Sequence, residues 1–155
     1  MDKNLLRQAI LEKLQADLDV LTRAAHMAHE EATHDESKAT TKYETHGQEA
    51  AYLAESQANL ANEVNASIKL YKTFEFPVFA PGLPANLGAV IALEHRGRIT
   101  NYLLGPRNGG LEITFDGQLI MLVTPQSPLG RQLMGALLGD TIQLPGRPSK
   151  VTSIE

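Results

Sequence analysis

The sequence predicts an α+β protein: an N-terminal antiparallel helical coiled-coil hairpin followed by a small antiparallel-sheet-plus-helix domain. Three observations carry that reading. Two stretches place small and apolar residues at alternating steps of three and four, a stretch rich in proline and glycine ends that spacing, and beyond it the pattern alternates at every second residue.

The first ladder runs Leu11, Leu14, Leu18, Leu21, Ala25, Ala28, Ala32, which keeps one stripe of an α-helix against a partner helix. The second runs Ala50, Leu53, Gln57, Leu60, Val64, Ser67, Tyr71. Both turn to alanine toward the segment that joins them, so the helices are expected to approach closely there. The hairpin ends near Lys72, because Pro77, Pro81, Gly82 and Pro84 suit neither a helix nor a central strand.

Strands are then expected over Ala89 to Glu94 and Ile99 to Leu104 around the turn Arg96-Gly97-Arg98, and over Leu111 to Phe115 and Gln118 to Thr124 around Asp116-Gly117. Ser127-Pro128 reads as an N-cap followed by proline at the first helical position. Leu129, Leu133, Met134 and Leu137 would share one helical face, with Gly139 closing it. Thr141 to Leu144 and Lys150 to Ile154 supply the last two strands, around Pro145-Gly146-Arg147-Pro148.

Composition narrows the function classes. The chain has no cysteine, which removes disulfides, thiolate chemistry and the commonest structural zinc ligand. Residues 1–72 hold 12 acidic and 8 basic side chains against 6 of each in 73–155, so the net charge of −4 resides in the hairpin half. A phosphate-gripping protein needs a clustered basic face, and none is visible, so no direct sequence-specific contact with nucleic acid is expected. Apolar runs fall short of the roughly 18 residues of a spanning helix, and the first twenty residues alternate charge with leucine. No membrane association and a cytoplasmic location are the expectation.

Ser127-Pro128-Leu129-Gly130-Arg131-Gln132-Leu133-Met134-Gly135, followed by Leu138-Gly139-Asp140 and a terminal strand, resembles the C-terminal signature of the bacterial Gre-type transcription elongation factors. Leu87-Gly88-Ala89-Val90 and Tyr102-Leu103-Leu104-Gly105-Pro106 match as well, and the resemblance covers essentially the whole chain. It implies a coiled-coil hairpin over 1–72 with its tip near 33–46, a linker over 73–87, and an FKBP-like polymerase-docking domain over 88–155. It also implies a monomer that binds RNA polymerase through Gln126, Ser127, Pro128 and Leu129. The hairpin would reach down the secondary channel toward the catalytic Mg²⁺; a helix from Asn4 to Thr33 would be on the order of 45 Å long.

Cleavage factors of that family carry two acidic residues three apart at the tip, which help hold a second Mg²⁺ and a water in the polymerase site. The corresponding stretch here is His34-Asp35-Glu36-Ser37-Lys38-Ala39-Thr40-Thr41-Lys42-Tyr43-Glu44. Matched on Asp35, the second place falls on Lys38; matched on Tyr43, Glu36 takes the first place and Ala39 the second. Neither register supplies the pair, so Asp35 and Glu36 are tip candidates, with Lys38, Tyr43 and Glu44 as tip contacts. Their bland role is to cap and solvate the turn. His26, His29, His34 and His46 lie near the same end and would be a solvated edge unless a closed ligand set forms around them.

The leading expectation is therefore a factor that binds RNA polymerase and modulates elongation or paused and backtracked complexes. It would have no intrinsic cofactor, using at most the Mg²⁺ of the polymerase. It would not be an enzyme, at most assisting the polymerase's own transcript cleavage. The alternatives are full cleavage stimulation through the tip carboxylates, a coiled-coil adaptor unrelated to transcription, and a prolyl isomerase, for which the C-terminal half offers mainly Phe115 and Tyr102 as aromatic lining.

Overall fold

A computed structural model describes the backbone of residues 1–37 and 41–155, and the side chains of all of these except 32, 35–37, 41–47 and 50. The elements are α1 (Lys3–Ser37), α2 (Thr41–Thr73), β1 (Val90–His95), β2 (Arg98–Leu104), β3 (Glu112–Phe115), β4 (Gln118–Val123), α3 (Pro128–Leu133), β5 (Thr141–Leu144) and β6 (Arg147–Ile154). The chain forms two compact units: Ile10–Lys72, and Met1–Ala9 together with Thr73–Glu155. The first residues of the expected hairpin and the stretch expected as a linker thus both belong with the sheet.

In the helical unit the α1 ladder lies where its spacing places it. Leu14 and Ala28 are buried and Leu11, Leu18, Leu21 and Ala25 partly so, while most residues between them are exposed. The α2 ladder is corrected by one position in two places. Leu53 and Leu60 are 51% and 48% exposed, and the inward stripe runs Ala54, Gln57, Ala61, Val64, Ile68, Tyr71. Both stripes share Gln57, Val64 and Tyr71, so the choice lay between neighbours. Ile68 and Tyr71 fix it, because their large apolar surfaces gain most from burial. Ser67, beside Ile68, is buried too and donates its hydroxyl back to the Glu63 carbonyl at 3.1 Å. Among the described residues toward the joining segment, the buried ones are the alanines Ala28 and Ala54, as close approach requires.

The sheet unit holds six strands in the order β3-β4-β2-β1-β6-β5. The expected all-antiparallel pairing is corrected at one ladder, β2 with β4, which is parallel from Asn101↔Ile120 to Leu104↔Val123. The reason is a skipped position: after β2 the chain passes to the sheet edge as β3 and returns by a hairpin into the gap. The hairpin turns are tighter than Arg96-Gly97-Arg98 suggested. Arg96 and Gly97 alone turn, at φ 50° and 78°, and Asp116-Gly117 repeats the geometry at φ 50° and 73°. Two consecutive positive φ values define the turn whose twist matches that of the strands it joins.

Two more boundaries move. Strand β6 begins at Arg147 and includes Pro148, opposite Gln143. A proline fits there because Leu144↔Arg147 closes a two-residue turn with its hydrogen bonds, which leaves Gln143↔Pro148 a pair that exchanges none. Helix α3 ends at Leu133 instead of reaching Gly139. The Met134 amide donates to the Gly130 carbonyl, Gly135 turns left-handed at φ 78°, and the chain then pairs with Ala85 through Gly135 N–H to Ala85 O and Ala85 N–H to Ala136 O, both 2.8 Å.

One face of the sheet forms the core with Leu133 of α3: Ile91, Leu93, Tyr102, Leu104, Val123, Ile142 and Val151 are buried together. Gln132 ties α3 to β5 by donating to the Gln143 carbonyl at 3.0 Å and accepting from its amide at 2.8 Å, which also satisfies that edge strand. Asp2 caps α1 by accepting from the amides of Asn4 and Leu5 at 2.9 and 3.2 Å. Arg7 donates to the Phe74 carbonyl at 2.7 Å and lies over the Phe76 ring.

Lys3 is half-buried, donating to the backbone oxygens of Gly88 and Glu155 at 2.8 and 2.6 Å. Burial lowers its ammonium from 10.5 to about 8, against a raising influence from Glu155. The unfolded chain therefore holds more protons between pH 8 and 10.5, so this group's contribution to stability is complete above 10.5 and is lost as pH falls through about 8. The urea midpoint of the sheet unit, measured against that of Lys3→Met, is expected to rise between pH 7.5 and 10. Equal pH profiles would refute the assignment.

Candidate functional site

The turn between β4 and α3 is built around one serine. Ser127 has extended backbone, φ −71° and ψ 153°, and its hydroxyl accepts from the Gly130 amide at 3.0 Å while donating to the Thr124 carbonyl at 2.8 Å. The Ser127 amide also donates to Thr124 O at 3.0 Å. Pro128 follows at the first helical position, where its missing N–H costs nothing. Gly130 faces this knot so closely that a Cβ there would lie 1.8 Å from the Thr124 carbonyl oxygen. Only glycine fits.

Arg131 closes the outer side, donating from Nε and Nη2 to the Gln126 carbonyl at 3.2 and 2.9 Å. Of the expected docking residues, Gln126 and Pro128 are exposed, Ser127 is half-buried, and Leu129 packs on the core. The result is a fixed turn that presents Gln126 and Pro128 outward and uses Ser127 and Leu129 to hold them. Sequence reasoning missed the bracing role of Arg131. It also placed Leu137 on a buried helical face, whereas Leu137 and Leu138 are 44% and 62% exposed, because α3 has already ended. The early Gly135 was the signal that would have found this.

At the hairpin end, Asp35, Glu36, Lys38, Tyr43, Glu44 and His46 lie outside the described side chains, as does any metal or tip contact they would make. Among the neighbours that are described, His26 Nε2 lies 3.1 Å from Glu30 Oε1, four residues on, and both are well exposed. No group of three or more His, Asp or Glu side chains placed to hold a metal ion occurs among the described residues.

Elsewhere, the two aromatic residues named for an isomerase pocket do not meet. Tyr102 lines a recess on the sheet with Leu93, His95 and Ser149, while Phe115 lines another with Met1 and Leu5. No described helix is long and apolar enough to cross a membrane.

No family model matches the chain, and no curated protein matches it. Among solved structures it is similar to GreA factor homolog 1 (Gfh1) of Thermus thermophilus, at 21% identity over 95% of each chain and a TM-score of 0.39. It is similar to a second structure described as the transcription factor Gfh1, at 20% identity over 94% of this chain and 93% of that one, TM-score 0.39. A third is Gfh1 of Thermus aquaticus, at 19% identity over 95% of this chain and 94% of that one, TM-score 0.37.

Proposed function

We propose that the chain is a Gre-type transcription elongation factor that binds RNA polymerase through the turn at Gln126 and Pro128 and inserts its coiled-coil hairpin into the secondary channel. There it modulates elongation and paused or backtracked complexes. The observation that carries this reading is the agreement between signature and geometry at the turn. Ser127, Pro128 and Gly130, which the sequence shares with the family, are the residues whose chemistry makes a rigid, outward-facing turn. A preformed turn loses little conformational freedom on docking, which favours its use as a contact surface.

The second half of the reading rests on the sequence of the tip. With Lys38 or Ala39 in place of a second carboxylate, the hairpin lacks two oxygen donors at the spacing that would complete a hard cation's shell. Occupancy without efficient cleavage follows, with no cofactor of its own. The chain acts in the cytoplasm as a monomer, with the polymerase as its partner.

The test is capture of core RNA polymerase by the immobilised full chain. The exposed substitutions Gln126→Ala and Pro128→Glu together are expected to weaken binding at least about 10-fold, some 1.4 kcal/mol, while leaving the thermal midpoint nearly unchanged. Equal capture by the wild type and the double variant would reject the docking turn. Absence of capture by the wild type would reject the polymerase reading itself.

A further inference from the structure

The core face of the sheet extends past the area that α3 covers. Beyond Leu133 it continues as an open recess of about 320 Å³, lined by Leu93 and His95 of β1, Arg98, Ile99, Thr100 and Tyr102 from β2, and Leu144, Arg147 and Ser149 from β5 and β6. Its floor is apolar: Leu93 and Tyr102 belong to the buried core and Leu144 packs against it. Its rim is cationic. Arg98 opens β2 and Arg147 opens β6, the two strands that flank β1, and His95 stands at the end of β1 directly opposite Arg98.

Among the described residues nothing uses this charge. Among the described residues neither guanidinium has an ion-pair or hydrogen-bond partner, and no carboxylate lines the recess. His95 is fixed by Nδ1, 2.8 Å from the Pro148 carbonyl. A carbonyl only accepts, so Nδ1 carries the proton and the other ring nitrogen remains available. The recess also lies away from the docking turn. It gathers at the starts of β2 and β6, whereas the Ser127 turn follows the end of β4, which runs parallel to β2.

The geometry points to a second docking site, for an acidic polypeptide segment in which a carboxylate adjoins a large apolar side chain. The carboxylate would lie between Arg98 and Arg147, where a guanidinium offers a matched pair of donors, and the apolar neighbour would cover Leu93, Tyr102 and Leu144. A free inorganic anion would leave that floor wet. A nucleic acid strand needs a basic surface longer than two arginines, and residues 73–155 carry no basic surplus, with 6 acidic and 6 basic side chains. The site goes beyond the proposed function and does not depend on it, since it uses none of the turn residues.

The experiment uses the ¹⁵N-labelled full chain and three probes. These are an octapeptide alternating two aspartates with two large apolar residues, the same peptide with asparagines, and a single-stranded 12-mer DNA. The acidic peptide is expected to bind with Kd below about 1 mM and to shift the amides of Leu93, His95, Arg98, Tyr102, Arg147 and Ser149. Arg98→Glu with Arg147→Glu, both exposed, is expected to weaken that binding at least about 10-fold with the remaining spectrum unchanged, and the asparagine peptide is expected to bind at least as weakly to the wild type. No shifts in this recess, equal binding of both peptides, or unchanged affinity in the double variant would each overturn the site. Tighter binding of the DNA in the same recess would overturn the choice of a polypeptide.

Discussion

Gly130→Ala is expected to lower the stability of the sheet unit by about 3 kcal/mol or more, a fall in its thermal midpoint of at least about 12 °C. A Cβ at this position would stand 1.8 Å from the carbonyl oxygen of Thr124 and 2.6 Å from its carbon, so the obstacle is backbone, which cannot swing aside as a side chain would. Relieving the clash means breaking the Ser127 hydroxyl bridge between Thr124 O and Gly130 N, the knot that starts α3. Gly110→Ala is the control. Gly110 has φ +91° with nothing within 4 Å of its would-be Cβ, so only the left-handed penalty of about 1–2 kcal/mol applies. Calorimetry of both variants checks the difference; equal losses would mean that the turn yields easily, and its value as a rigid docking element would fall with it.

Lys38→Glu is expected to raise transcript cleavage in backtracked RNA polymerase complexes at least about 10-fold over the wild type. The substitution places a second carboxylate three residues after Asp35 and removes the cation that competes for it, supplying the oxygen pair that a second Mg²⁺ requires. The gain should vanish in the Asp35→Ala, Lys38→Glu double variant, because a single carboxylate leaves the ion's shell to water. Gel analysis of end-labelled transcripts measures both. Strong cleavage by the wild type that is lost in Asp35→Ala alone would overturn the modulator reading and restore the cleavage alternative.

What the sequence disclosed depended on how local the determining physics was. Arg96-Gly97, Asp116-Gly117 and Ser127-Pro128 announced their turns and cap because the energetics lie within a few neighbouring residues. The parallel β2–β4 ladder could not be read, since strand pairing is decided by which partner fills the gap left by a skipped position. In α2 the leucines misled: Leu53 and Leu60 look like seam residues, yet Ala54 and Ala61 point inward because Ile68 and Tyr71 set the helix rotation further along. The geometry of the Ser127 turn was legible residue by residue, except for Arg131, whose bracing contact runs to a backbone carbonyl that no side-chain pattern reveals. The recess at Arg98 and Arg147 was invisible for a similar reason: two arginines far apart in sequence share a rim only after β1 is placed between them.

The unit that holds the sheet is discontinuous in the chain, taking Met1–Ala9 from one side of the helical unit and Thr73–Glu155 from the other. The helical unit is in this sense an insertion, and the two flanking pieces must be brought together across Ile10–Lys72 before Leu6, Lys3 and Arg7 can find their places. Closing a flexible loop of that length would cost on the order of 4 kcal/mol in chain entropy. If the helices zip first, most of that cost is met by local contacts, and the sheet unit inherits ends already drawn close. Folding order is thereby coupled to the quality of the helical seam: a substitution at Ile68 or Tyr71, both within the helical unit, should slow the assembly of the sheet.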